Sequence, residues 1–360
     1  MGLTAAQTAN ALSLTASMAG GATSQFGTMA KALHAGFAAK AGVLAASLAA
    51  KGATAHSDAL DGPVSFASMT SDATKADFER SLAKLGNPWA ILEYGLHVKF
   101  YPSCGATHRV IAAALEIRSA QNLSPQDIEQ IDISVPDYLR ELLPYNATED
   151  PTEALFSLPY CVAAAFRWGR VGIDEFLPEA TQDKSVQQLA QMVTIYGRQI
   201  ADRTKLFVAG DPDTVTVRIR SGMTFSHGVD IPPGAPPRFA DNKTVGNKFK
   251  DCALRGISEQ DMAAIRDLIF RSNSDWLLVD LLSLLDRASN RSAERRGPAR
   301  RQDHPVGAGG LGHPHQRAGI LWVFHSIQGH QAASTRGQAG DQLAQTQYRQ
   351  RPRLEQQTLR

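Results

Sequence analysis

Residues 27–52 read GTMAKALHAGFAAKAGVLAASLAAKG, and no other segment constrains the fold as much. Gly36, Ala39, Gly42, Ala46 and Ala49 recur at steps of three and four residues. That spacing places them on one stripe of a helix, where side chains this small let a second helix approach closely. Lys31 and His34 are three residues apart, so they share a helix face. Lys40 and Lys51 interrupt the apolar run, which argues against a membrane span. Taken by themselves, Lys31 reads as a surface lysine and His34 as a satisfied core histidine.

A second segment combines a lysine, a thiol and an imidazole. Val98 to His108 reads VKFYPSCGATH. The extended stretch HVKFYPS breaks at Pro102, and a helical pattern, ATHRVIAAALEIRSAQ, follows. The first turn of a helix carries unpaired N–H groups and the positive end of the macrodipole, so it attracts anions. Lys99 just upstream adds a full charge, which gives a way to hold a carboxylate without a metal. A strand–turn–helix junction with a solvated lysine fits this segment equally well.

Three cysteines, Cys104, Cys161 and Cys252, stand far apart with no CxxC pair. They predict a reducing compartment and no zinc site. The start, MGLTAAQTANAL, has no basic region followed by an apolar core, so no secretory signal is read there, and a cytoplasmic protein is expected. The whole chain has 360 residues, room for two domains, and carries net +2. From residue 291 onward there are eleven Arg, no Lys and four acidic residues, so that part is +7 and the rest −5.

Residues 4–19, 28–52 and 71–85 read as helices. IEQIDISVP (128–136) reads as a strand, preceded by a short helix start at Ser124-Pro125. DTVTVRIRSG (213–222) and TFSHGVDIP (224–232) read as a hairpin joined near Gly222. Scattered strands among helices predict an α+β layer structure. Pro232-Pro233 and Pro236-Pro237 mark a linker, after which ISEQDMAAIRDLIF, with Ser258 as N-cap, and SDWLLVDLLSLL read as amphipathic helices. Beyond about 287 the hydrophobic periodicity stops. The last lysine of the chain is Lys250 and half of its ten histidines fall in this tail. Such a composition fits a disordered end read from a GC-rich frame out of register. It lacks the clustered basic runs and interleaved aromatics of a nucleic-acid tail, so no nucleic-acid partner is expected.

Four segments together resemble the MmgE/PrpD family, whose members include 2-methylcitrate dehydratase, cis-aconitate decarboxylase and an iminodisuccinate epimerase. They are the K-x-x-H-x-G helix at Lys31, His34 and Gly36; the K-x-Y-P-x-C-x-x-x-H run at Lys99 to His108; FSLPYCVAAAFRWGRVGIDEF at Phe156 to Phe176; and NKFKDCA at Asn247 to Ala253. The resemblance extends over roughly residues 3 to 286. It implies a mainly α fold with an α+β part: a partial helical domain (1–90), an inserted α+β lid (91–235), a return to the helical domain (236–286) and the tail (287–360). It also implies a lyase of small di- or tricarboxylates with no metal and no organic cofactor, in the manner of 2-methylcitrate dehydratase. Lys31 and Lys99 would clamp carboxylates of one small molecule. His34 and His108 are the imidazoles available for proton transfer, Tyr160 a hydroxyl donor and Cys104 a pocket-lining residue. A homodimer through the helical domain, with no membrane partner, is the expected assembly. Family members begin with a longer helical stretch that supplies acidic, threonine and histidine side chains to the pocket. On that comparison the chain is expected to be shortened at the front and weakly active. The alternative is a remnant that binds carboxylates or pairs with an intact paralogue.

Overall fold

A computed structural model describes residues 2–70, 77–83, 85–93, 95–199, 210–270 and 278–296. The described chain is mainly helical, with one small mixed sheet of four strands. It divides into two compact units. The first holds residues 1–90 and 101–232, the second residues 91–100 and those from 233 onward.

The first unit opens with a helix pair. Helix α1 (Ala5–Ala16) starts from a capping box. The Thr4 hydroxyl accepts from the Gln7 N–H at 3.2 Å, and the Gln7 side-chain oxygen accepts from the Thr4 N–H at 3.0 Å, so two orphan donors are satisfied reciprocally. Helix α2 (Met29–Ala50) packs on α1. The Asn10 side chain accepts from the Ala55 N–H at 3.1 Å and fixes the return of the chain after α2. Ala45 and Ala49 are fully buried, whereas Gly36, Ala39 and Gly42 are exposed. The small-residue stripe is thus used for packing only over its second half. Leu33, Phe37, Leu44 and Leu48 recur at helical spacing and stay 39–58% exposed. By length and composition alone α2 is also apolar enough to cross a bilayer; its lysines do not break the run as the sequence suggested.

The sheet supplies the core. Strand β1 (Ile128–Pro136) has the bounds read from its alternation. β2 (Val193–Arg198) pairs with it in parallel; β3 (Asp213–Ile219) pairs antiparallel on its other side and continues to β4 (Thr224–Val229), giving the order β2-β1-β3-β4. Register places Ile131 opposite Val193 and Val217, and Ile133 opposite Ile195 and Val215. Alternation puts Ile131, Ile133, Val135, Val215 and Val217 on one face, and all five are fully buried. Helix α3 (His108–Gln121) covers β3 and β4, and α4 (Leu158–Trp168) packs on α3 and on α5 (Lys184–Gln191).

One ionic cluster ties α3 to the sheet. Arg109, second residue of α3, donates two hydrogen bonds of 2.8 Å to the two carboxylate oxygens of Asp213, first residue of β3. Arg198, last residue of β2, donates to the same carboxylate at 3.0 Å and to the Asp211 carboxylate at 2.9 Å. The Arg109 and Asp213 side chains are 3% and 0% exposed. Burial pushes the Asp213 carboxyl up while both arginines pull it down. With two guanidinium groups in contact, we take it as the carboxylate.

In the second unit, α6 (Asn242–Ala253) is capped by Asp241, whose carboxylate accepts from the Thr244 N–H at 2.7 Å. Helix α7 (Glu259–Phe270) follows, with Ser258 accepting from the Asp261 N–H as its sequence predicts. Helix α8 (Leu278–Arg296) packs on α7. It runs past residue 287, where the tail was expected to begin, because RASNRSAERR is rich in helix formers, and Ala288 is buried. Residues 297–360, on which the tail expectation mainly falls, lie outside the described residues, as does 71–76 of the helix expected at 71–85; residues 78–83 of that segment are helical.

Removing Asp213 takes from the Arg109 guanidinium its buried counter-ion, while Arg198 keeps the Asp211 carboxylate. Asp213→Ala should therefore cost about 3–5 kcal/mol of stability. Urea unfolding measures it, and a loss below ~1 kcal/mol would show that the cluster does not hold α3 on the sheet.

Candidate functional site

Lys31 lies in the first turn of α2, whose start is fixed by a close backbone approach. Gly27 has φ +82°, and a Cβ there would lie 2.3 Å from the Tyr145 ring. Only glycine satisfies both demands. The Tyr145 hydroxyl donates to the Phe26 carbonyl at 2.7 Å, clamping the chain just before α2. Phe26 and Phe156 rings sit 5.1 Å apart, and the Lys31 ammonium is 5.7 Å from each ring centroid. Two aromatic faces hold the cation by its charge while it stays exposed. His34, one turn on, is half-buried beneath the Gly20-Gly21 loop: its Nδ1 lies 3.2 Å from where a Cβ on Gly21 would stand.

The run from Tyr101 to His108 shares neighbours with Lys31. Cys104 donates its N–H to the Leu155 carbonyl at 2.9 Å, directly before Phe156. A short 3-10 turn, Gly105–Thr107, leads into α3. Thr107 and His108 also donate their N–H groups to carbonyls inside the turn, those of Cys104 and Gly105. The anion cradle expected at this helix start is therefore in good part closed by the protein's own bonds. Cys104 is half-buried. His108 is buried, with its ring edge-on to Tyr101 at 5.1 Å.

Tyr160 occupies a different kind of place. It is fully buried, its ring rests on Phe176 at 5.6 Å, and its hydroxyl donates to the Glu175 carbonyl. Burial pushes its phenol far above the ordinary range. In this conformation the hydroxyl joins α4 to the 174–176 turn and is committed to a backbone oxygen. Beside it Cys161 is fully buried and pushed up to about 12, chiefly by that burial; hydroxyls of Thr107 and Ser103 oppose the rise. It is an inert thiol. Cys104, Cys161 and Cys252 are all free. Among the described residues no group of three or more His, Cys, Asp and Glu side chains is placed to hold a metal ion.

Lys99 belongs to the second unit. Its neighbour Val98 donates its N–H to the Gly234 carbonyl at 2.9 Å. Gly234 has φ +86°, and a Cβ there would lie 2.0 Å from the Val98 oxygen. Lys99 is half-buried, and so is Lys248 on α6. Burial lowers Lys248 from its ordinary 10.5 to about 8. The nearby charge of Lys99 pushes in the same direction and Cys252 opposes it. Lys248 was not singled out from the sequence, because a lysine in an amphipathic helix reads as solvated. The signal available was its three-residue step from Val245, which puts both on one face. His97, two residues before Lys99, is likewise lowered by burial.

The sequence as a whole was compared with known families. Residues 1–79 match the MmgE/PrpD N-terminal domain, and residues 101–272 match the MmgE/PrpD C-terminal domain. The chain belongs to the MmgE/PrpD family. The two matches are in order and include Lys31, His34, Cys104, His108, Tyr160 and Lys248; Lys99 falls between them. A comparison with curated proteins gave no match. MmgE/PrpD membership points to a dehydratase-like or related function.

Burial of Lys248 has a thermodynamic consequence. The folded state disfavours its charged form, so the penalty is full below pH 8 and vanishes above about 10.5, where the amine is neutral in both states. Unfolded chain binds more protons in that window, so stability rises with pH across it. Lys248→Met removes the penalty. Its melting temperature should exceed that of the unaltered protein most at pH 7, with the gap narrowing between pH 8 and 10.5. A gap that is constant with pH would show that Lys248 is charged in both states throughout.

Proposed function

We propose that this MmgE/PrpD chain is a hydro-lyase of small di- and tricarboxylates, in the manner of 2-methylcitrate dehydratase. The observation that supports it most is a lysine held in each unit at a defined place: Lys31 over Phe26 and Phe156, and Lys99 on the segment bonded to Gly234. A proton on carbon next to a carboxylate is weakly acidic, so negative charge building there needs fixed cations. Each lysine binds carboxylate and disperses that charge. In the reaction a base takes the proton from carbon, the C–H electron pair forms the C=C bond, and hydroxide leaves from the neighbouring carbon with a proton from an acid. His34 is the better placed imidazole for the base, being half-buried on the same helix as Lys31, whereas His108 is buried against Tyr101. Tyr160, with its hydroxyl on the Glu175 carbonyl, supports the site from the core, and Cys104 lines it.

A second reading is carried by the exposed stripe of Leu33, Phe37, Leu44 and Leu48 on α2. An apolar face of this length is a surface for a partner helix. In this reading the chain binds carboxylates weakly and pairs through α2 with a second copy or an intact paralogue in the cytoplasm.

The test is dehydration of 2-methylcitrate and decarboxylation of cis-aconitate, followed by product chromatography. Lys31→Gln and Lys99→Gln should each lower kcat/KM by about ten- to hundredfold. His34→Gln should lower kcat by about a hundred- to ten-thousandfold. Turnover unchanged in His34→Gln would remove it as the base. Citrate binding without turnover, together with a dimer dissociated by Phe37→Glu in sedimentation, would favour the second reading.

A further inference from the structure

The sheet of the first unit ends at β4, and the bonds along it show which backbone groups face outward. The Ile219 N–H donates to the Met223 carbonyl at 2.9 Å, one step beyond the paired residues Arg218 and Thr224. Bonded and non-bonded pairs alternate along an antiparallel ladder. Counting from that bond, Phe225, His227 and Val229 direct their N–H and C=O groups to β3. Thr224, Ser226 and Gly228 turn theirs away from it, and all three residues are exposed. Such an edge is a template for another strand, and proteins ordinarily guard it with a charge, a proline, a bulge or a covering segment. Strand β4, TFSHGV, has no Lys, Arg, Asp, Glu or Pro, and its register with β3 runs without a shift. Its one titratable side chain, His227, has its Nε2 2.7 Å from the Glu116 carboxylate of α3, so it lies on the helix-covered face and does not guard the edge. On the opposite face the Ser226 hydroxyl pairs with that of Thr216 at 2.8 Å.

The pattern of this edge is its own complement. About a two-fold axis at Ser226, perpendicular to the sheet, Ser226 meets Ser226 of a second copy, Thr224 meets Gly228, and Gly228 meets Thr224. Each of these pairs exchanges two N–H···O=C bonds, about six in all. On the helix-covered face the half-buried Phe225 then lies opposite His227 of the other copy and gains cover for its ring. No like charges are set against each other, because Thr224, Ser226 and Gly228 are neutral and His227 faces an aromatic ring. A partner of different sequence would be chosen by charge or by pockets, and β4 offers no charged side chain along its outward row to choose one. We propose that β4 pairs antiparallel with β4 of a second copy, which joins two four-stranded sheets into one. The interface lies on a surface other than α2, and it does not depend on the reading of the chain as a lyase.

Sedimentation velocity of the full chain across a concentration series tests it. Ser226→Lys leaves the backbone intact but sets two ammonium groups against each other at the axis, and should weaken the dimer by about ten- to hundredfold. Ser226→Ala removes only the hydroxyl contact with Thr216 and should stay within about twofold. In the unaltered protein, hydrogen exchange gives a reading that needs no variant. The amides of Thr224, Ser226 and Gly228 should become protected as concentration rises, while those of Phe225, His227 and Val229 are protected throughout. Dissociation by Ser226→Lys, with the three outward amides protected in the dimer, would support the inference. A dimer that Phe37→Glu dissociates and Ser226→Lys does not would place the contact on α2 and overturn it. A chain that stays monomeric at every concentration would also overturn it, and would leave the hydro-lyase reading standing.

Discussion

The bidentate contact between Arg109 and Asp213 is the interaction on which the first unit depends. It joins the second residue of a helix to the first residue of a strand 104 positions later, and Arg198 closes the cluster from the end of β2. Three elements therefore meet at one carboxylate. His108 precedes Arg109, so the turn of Ser103, Cys104 and Thr107 is aligned by the same anchor. Carbonyl bonding from Leu155 to Cys104 then carries that alignment to Phe156, and Phe156 carries it to Lys31. Burying such a charge cluster is a poor way to gain stability against an apolar equivalent. What it provides is uniqueness. A helix start attached by two parallel hydrogen bonds cannot slide by one residue, whereas a purely apolar contact can.

Much of this was legible in the sequence, and the parts that were not have physical reasons. Alternating Ile and polar residues gave β1 its bounds, and Gly222 between two alternating runs gave the β3–β4 hairpin. Small residues at helical steps gave α2. Burial along α2 falls at Ala45 and Ala49, and the first half of the stripe, Gly36, Ala39 and Gly42, stays exposed. Strand β2 escaped notice. It is six residues long, lies at the sheet edge and buries little, so its alternation is faint. Arg109 and Asp213 escaped too, since nothing local marks two oppositely charged residues so far apart as partners.

The candidate site shows the same division. Lys31, His34, Lys99 and His108 stand out in short runs, because spacing on a helix and a proline break are local signals. Their environments are not local. Tyr160 in sequence is an available hydroxyl; in the fold its proton is spoken for by the Glu175 carbonyl. Lys31 in sequence is a surface lysine; in the fold it is exposed yet gripped by two aromatic faces. The anion cradle expected after Pro102 is occupied largely by carbonyls of the same turn and of Leu155. What distinguishes a functional group from a structural one here is where its hydrogen bonds already go, and that is decided by tertiary contacts.

How strongly a lysine can act on a carboxylate depends on how far it is withdrawn from water. A lone solvated ammonium interacts with a carboxylate 4 Å away by about 1 kcal/mol in bulk water, and by about 4 kcal/mol where the effective dielectric is near 20. Half-burial of Lys99 and Lys248 moves them toward the second regime, and the cost appears as the lowered pKa of Lys248. Phe26 and Phe156 achieve part of the same effect for Lys31 without burying it, since an aromatic face restricts an ammonium while leaving it hydrated on one side. Strength of cation and readiness to lose its proton are therefore set against each other. A lysine buried enough to act strongly becomes neutral unless an anion keeps it charged, so at a half-buried lysine such as Lys248 anion binding and protonation would be linked.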